Sequence, residues 1–196
     1  MNTEPKLVRA PHCIVLVAML TMAALAVGQV ETIDATARGT STQLGKIISI
    51  KVIVNQFSTP EDKETLKQAF VKGGNDALVK ALSKMNSAGR IQVSGTVGYA
   101  LAYADSIPTP TGRKIHFVTD RRIAFKEAYR NTRSQAYNLT AGEIDINDQD
   151  DKKSAGVLYP AAQLIINTDG DLQLELLQNP WQLTNIIDWK PKGKEQ

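Results

Sequence analysis

From Leu44 onward, apolar side chains recur at every second position through most of the chain, and only residues 60–85 break to spacings of three and four. Period two lines one face of a strand, and spacings of three and four line one face of a helix. A single helical stripe among many strand patterns excludes both a helical bundle and a regular alternation of strand and helix. It leaves an α+β arrangement in which the helix covers one face of an antiparallel sheet.

The first strand pattern sets Ile48, Ile50, Val52 and Val54 against Ser49, Lys51, Ile53 and Asn55. Ser58-Thr59-Pro60-Glu61-Asp62 then predicts a helix start. Thr59 can cap, Pro60 suits the first turn, where its missing N–H costs nothing, and the carboxylates oppose the positive helix end. Leu66, Ala69, Phe70, Gly73, Ala77, Leu78, Ala81, Leu82 and Met85 form the stripe, which Gly89 ends. Ala69, Gly73, Ala77 and Ala81 make a ladder of small residues expected to bring the helix close to the sheet. Gly73-Gly74 at mid-helix costs about 1 kcal/mol per glycine relative to Ala, and a break into two helices is the rival reading.

After Gly89, residues 91–103 read as one strand with Ile91, Val93, Val97, Tyr99, Leu101 and Tyr103 on one face and a bulge or bend at Gly95 and Gly98. Residues 108–112 read as a turn, and Arg113 to Lys126 as a returning strand with Ile115, Phe117, Ile123 and Phe125 on one face, running straight or folding back at Asp120-Arg121. Tyr137 to Ile146 follows as a strand, then a polar loop from Asn147 to Ser154. Val157 to Ile166 and Leu172 to Leu177 flank the hairpin signal Thr168-Asp169-Gly170. The segment from Asn179 to Trp189, with two tryptophans, is expected to pack back on the body. The expected fold is one long amphipathic helix on a mainly antiparallel sheet of about six or seven strands.

The N-terminus carries the layout of a secretory signal. Lys6 and Arg9 precede an apolar run of 14 residues, Ile14–Val27, which closes on Ala26-Val27-Gly28. A bilayer-spanning helix needs about 20 residues, so residues 1–28 read as a cleaved signal peptide, with an uncleaved N-terminal anchor as the rival reading, and the protein as exported, periplasmic or secreted. No transmembrane segment is expected after cleavage. Residues 29–43 read as a flexible lead-in, 44–190 as a single α+β domain and 191–196 as a basic tail. Cleavage would take the chain from 196 residues to 168 and remove Cys13, its only cysteine, so no disulfide is expected. It would leave 21 basic and 19 acidic residues, a balance of +2, too near neutral to point to nucleic acid.

Few residues suggest chemistry. His116 is the only histidine beyond the leader, and its parity points it away from Ile115 and Phe117. With no cysteine beside it, it predicts no zinc site, and no Gly-x-Ser-x-Gly elbow accompanies it; no metal and no cofactor are expected. The acidic loop around Asp145, Asn147, Asp148, Asp150 and Asp151 is followed at once by Lys152 and Lys153 and reads as solvated. The segment 113–133 carries Arg113, Lys114, Arg121, Arg122, Lys126, Arg130 and Arg133 against Asp120 and Glu127, a balance of +5. Arg113, His116, Arg121 and Arg122 are therefore the candidate ligand contacts. The partner they suggest is an anionic polymer, a lipid headgroup or an acidic protein. Asn138-Leu139-Thr140 meets the glycosylation rule in form and reads as coincidence inside a strand.

Two longer stretches, Pro108-Thr109-Pro110-Thr111-Gly112-Arg113 through Asp120-Arg121-Arg122-Ile123 and Leu158-Tyr159-Pro160-Ala161-Ala162-Gln163 through Asn179-Pro180-Trp181-Gln182-Leu183-Thr184-Asn185, resemble exported bacterial proteins of similar length with no assigned activity. The resemblance implies no site. The reading that follows is an exported, non-catalytic binding or accessory protein using a sheet face or a groove between helix and sheet. The alternatives are a small hydrolase of cell-wall or carbohydrate material working through paired carboxylates, and a structural assembly component.

Overall fold

The computed structural model describes residues 30–123, 137–166, 172–176 and 179–189. The element order is β1 (Glu31–Arg38), β2 (Ile47–Val54), α1 (Pro60–Leu82), β3 (Gly89–Val93), β4 (Tyr99–Thr109), β5 (Gly112–Thr119), β6 (Leu139–Asn147), β7 (Ala155–Ile166), β8 (Leu172–Leu176) and β9 (Trp181–Asp188). Every pairing is antiparallel, and the strands run round in the order β1-β2-β3-β4-β5-β6-β7-β9. Pairing of β9 with β1 closes the ring, while β8 hangs on β7 outside it. The molecule is thus a closed eight-stranded barrel with one helical excursion, which corrects the expected open sheet of six or seven strands.

Two segments account for the correction. Residues 29–43, expected as a lead-in, supply β1, whose Ile33, Ala35 and Ala37 face the core while Thr32, Asp34 and Thr36 face outward. Small side chains there hide the period-two signal, because Ala and Thr differ little in polarity. The segment expected only to pack back supplies β9, which joins β1 to β7. The single strand expected over 91–103 is instead two, β3 and β4, with the chain reversed through Gly95 and Gly98. The strand expected over 113–126 ends at Thr119. The leader, the basic tail and the Thr168-Asp169-Gly170 turn lie outside the described residues.

The barrel interior is filled. Trp181, Phe117, Ile33, Ile91, Leu101, Ile115, Ile144, Leu158 and Leu183 are all less than 2 % exposed. An eight-stranded barrel is just wide enough for side chains or one small ligand, and here side chains take the space. Small residues offset the large ones: a Cβ on Gly142 would stand 2.1 Å from the Phe117 ring, so glycine is what admits that ring. Each large apolar side chain buried this way contributes about 1.5–3 kcal/mol. Outward positions carry Asp34, Lys51, Arg90, Lys114, Glu143 and Asp145, the reverse of a lipid-facing barrel wall. Among the described residues, no helix is long and apolar enough to cross a membrane.

One end of the barrel is closed by ions. Arg113 on β5 sits opposite β1 in the ring and shares the inward face of Ile115 and Phe117. Its guanidinium donates to Glu31 Oε1 from Nη2 (2.5 Å) and Nε (3.2 Å), and Nη2 also donates to Asp188. The three side chains are only 11 %, 7 % and 15 % exposed. Burial works against the arginine's charge, but the hydrogen bonds and charges of Glu31 and Asp188 outweigh it.

The helix begins as the sequence predicts: Thr59 Oγ1 accepts from Asp62 N (3.2 Å), and Asp62 Oδ2 accepts from Thr59 N (2.8 Å). It does not run as one rod. Gly73 (φ −154°, ψ 22°) and Gly74 (φ 63°, ψ −154°) leave helical geometry, and Gly74 occupies a region open essentially to glycine alone. Asp62 and Thr65 on the first half line a common groove with Ala77 and Ala81 on the second. Ala77 and Ala81 of the small-residue ladder therefore face the other half of the helix across the bend. Asn75 fixes the bend to the barrel: its Nδ2 donates to Asn138 Oδ1 and its Oδ1 accepts from Leu164 N, both at 2.9 Å.

Candidate functional site

The two halves of α1 converge on the outside of the barrel, where Leu66, Phe70, Leu78 and Leu82 pack with Ala102, Leu139, Tyr103, Val118 and Leu164 of the wall. Packing is incomplete there. A cavity of about 230 Å³ remains, with Leu66, Leu78 and Leu82 on the helical side and Val118, Leu139, Ala141 and Leu164 on the strand side. Its polar members are Lys63, Tyr103 and Asp105.

A β-bulge puts Tyr103 and Asp105 there. Pairing of β4 with β5 slips by one residue between Leu101↔Thr119 and Tyr103↔Val118. Leu101 faces the barrel core, Tyr103 and Asp105 face outward, and Ala104 faces in. Unbroken alternation would have kept Tyr103 on the core face with Leu101, as the sequence pattern predicts. One inserted residue reverses that.

Register then assembles a polar row across three strands. Asp105 pairs directly with His116, and His116 with Glu143; directly opposite residues on one face hold their Cβ atoms about 5 Å apart. Asp105 Oδ1 lies 2.9 Å from His116 Nδ1, and Glu143 Oε2 lies 3.3 Å from His116 Nε2. Two steps along each strand extend the row: Tyr103 donates its hydroxyl to Asp105 Oδ2 (3.0 Å), and Lys114 Nζ meets Glu143 Oε1 (2.7 Å). The two ring nitrogens of His116 thus each face a carboxylate, one from each neighbouring strand.

The electrostatics follow from these contacts. The Tyr103 hydroxyl is pushed well above the usual tyrosine range by burial first, then by the charge and hydrogen bond of Asp105 and the charge of Asp62. Tyr103 therefore keeps its proton and donates it in a hydrogen bond to Asp105. The hydrogen bond from Lys114 holds the Glu143 carboxyl below the usual carboxylate range against the opposing effect of burial, with the charges of Lys114 and His116 adding to it.

The four candidate contacts do not come together. His116 stands at mid-strand on the outer wall, as its parity predicts. Arg113 lies in the ion cluster at the barrel end. Arg121 and Arg122 lie beyond the end of β5, with Arg121 Nε donating to Asp120 Oδ1 (3.0 Å) and Arg122 half-buried with contacts of its own. Within the described part of the basic strip, Arg113 and Lys114 are matched by carboxylates of the same chain; Lys126, Arg130 and Arg133 lie outside the described residues. In the acidic loop, Asp148 faces Arg113 and Asp150 faces Lys153, while Asn147 and Asp150 accept loop backbone N–H groups. Among the described residues no group of three or more His, Cys, Asp or Glu is placed to hold a metal. Asn138 holds the bend through Asn75, and Thr140 is fully buried, so the glycosylation triplet is engaged in packing.

Sequence reasoning missed Tyr103, Asp105, Glu143 and Lys63 as site residues. For Asp105, His116 and Glu143 the missing signal was register, which no single strand pattern contains. Comparisons with family models, with curated proteins and with solved structures gave no match, so the site is read from its own geometry.

Proposed function

We propose that the protein is an exported, non-catalytic binding protein that holds one small apolar molecule between α1 and the outer barrel wall. The observation that carries this reading is the 230 Å³ cavity, lined by hydrocarbon over most of its surface and polar at Lys63, Tyr103 and Asp105. Binding sites combine apolar walls with a few placed polar groups in this way. A cavity of about 150 Å³ binds benzene, roughly 25 Å³ per carbon; at that ratio 230 Å³ suits about nine carbons. The filled lumen directs any ligand to the outside of the barrel. Export is supported by the layout of residues 1–28.

The hydrolase reading finds less support. Asp105 and Glu143 have the His116 ring between them, and Glu31 and Asp188 converge on one guanidinium. Neither pair leaves the open space a substrate bond and water require.

Octan-1-ol titrated into the protein should shift the methyl NMR signals of Val118 and Leu164, and Ala141→Leu should abolish those shifts while leaving the remaining spectrum folded. Unmoved methyl signals in the wild-type protein would overturn the reading.

A further inference from the structure

We propose that the cavity selects a short-chain anion, a carboxylate on a hydrocarbon tail of about eight carbons, with Lys63 as its counter-ion; this rests on the binding reading above. The three polar groups at the cavity differ in what they have left to offer. Asp105 has one oxygen on the Tyr103 hydroxyl and the other on His116 Nδ1. The Tyr103 hydroxyl already donates to Asp105. Lys63 is solvent-exposed, lines the same space, and has no side-chain partner among the described residues. Its ammonium brings three donors and no acceptor.

Neighbouring carboxylates do not take those donors. Asp62 accepts from the Thr59 backbone, and Glu64 faces Lys67 and Gln68. A cationic head would have to share Asp105 with the His116 and Tyr103 groups already on it and would face the Lys63 charge. A neutral hydroxyl head could accept one hydrogen bond from the ammonium but would leave its charge unmatched. A carboxylate meets Lys63 without breaking an existing bond, and its tail reaches Leu66, Leu78, Leu82 and Val118.

The test uses three probes with one eight-carbon tail: nonanoate, octan-1-ol and octylamine, titrated against the full chain and followed by the Val118 and Leu164 methyl signals. Nonanoate should bind about fivefold more tightly than octanol, the value of a partly exposed ion pair of about 1 kcal/mol, and octylamine most weakly. Lys63→Met should remove the nonanoate advantage and leave octanol binding unchanged. Lys63→Arg should keep it, and added salt should reduce it. Equal affinities for all three probes, or an advantage that survives in Lys63→Met, would overturn the head-group assignment while the cavity reading stands. No binding of any probe would overturn both.

Discussion

Arg113 offers a severe test of how the barrel is held, because its guanidinium reaches from β5 to Glu31 on β1 and Asp188 on β9 across that end. Arg113→Met keeps the side-chain stem and deletes the guanidinium, leaving Glu31 and Asp188 facing each other. Removing one partner of a buried ion pair costs about 3–5 kcal/mol, since the survivor stays desolvated without compensation. Asp188 is 15 % exposed and has a further interaction of its own, so the charge chiefly stranded is Glu31 and the lower bound, about 3 kcal/mol, applies. For a domain of this size that lowers Tm by about 6–12 °C. Urea unfolding followed by tryptophan fluorescence reads it, with Trp181 buried next to the β9–β7 pairing. The companion variant, Arg113→Met with Glu31→Met and Asp188→Leu, removes the guanidinium together with its two buried carboxylates, leaving only the exposed Asp148, and should recover most of the loss. A single variant within about 1 kcal/mol of wild type, or a triple variant as unstable as the single, would refute the argument.

Three further outcomes follow from the same structure. Gly74→Ala should cost about 1–3 kcal/mol in urea unfolding, all from backbone strain, because nothing lies within 4 Å of the added Cβ. Thr140→Val deletes the hydroxyl that accepts from Ile123 N (2.7 Å) and donates to Pro160 O (2.8 Å); it should cost about 1–2 kcal/mol and speed hydrogen exchange at the Ile123 amide. Glu143 titrates below its unfolded value, so its contribution is present above the ordinary carboxylate range and disappears as pH falls through the lower folded value. The stability gap between wild type and Glu143→Gln should accordingly be flat near neutrality and close below about pH 4; a gap unchanged at about pH 3 contradicts it.

The helix start, β2, β6, and the strands β7 and β8 were legible because each signal is local: a capping pair, an alternation, a polar loop. Barrel closure was not, since it depends on β1 and β9, whose Ala, Thr and Asn-rich faces carry weak contrast. Asn185, at φ 50° and flanked by a register shift against β1, further interrupts the alternation of β9. The rival reading of Gly73-Gly74 as a break was legible, and the structure takes it. Arg113 could have been placed by parity with Ile115 and Phe117, but a charged residue on an inward position is intelligible only once Glu31 and Asp188 stand across from it. The site depended on a bulge and on pairing partners scattered over residues 103–143, which a linear pattern does not specify.

The β1–β9 seam joins positions as distant as Ile33 and Asp188, and this fixes when the molecule can finish folding. A chain emerging N-terminus first cannot complete its ring until its final strand is free, so intermediates present two raw strand borders able to pair with other molecules. Late closure makes β9 decisive: a product truncated before Trp181 would be left as a curled, sticky ribbon.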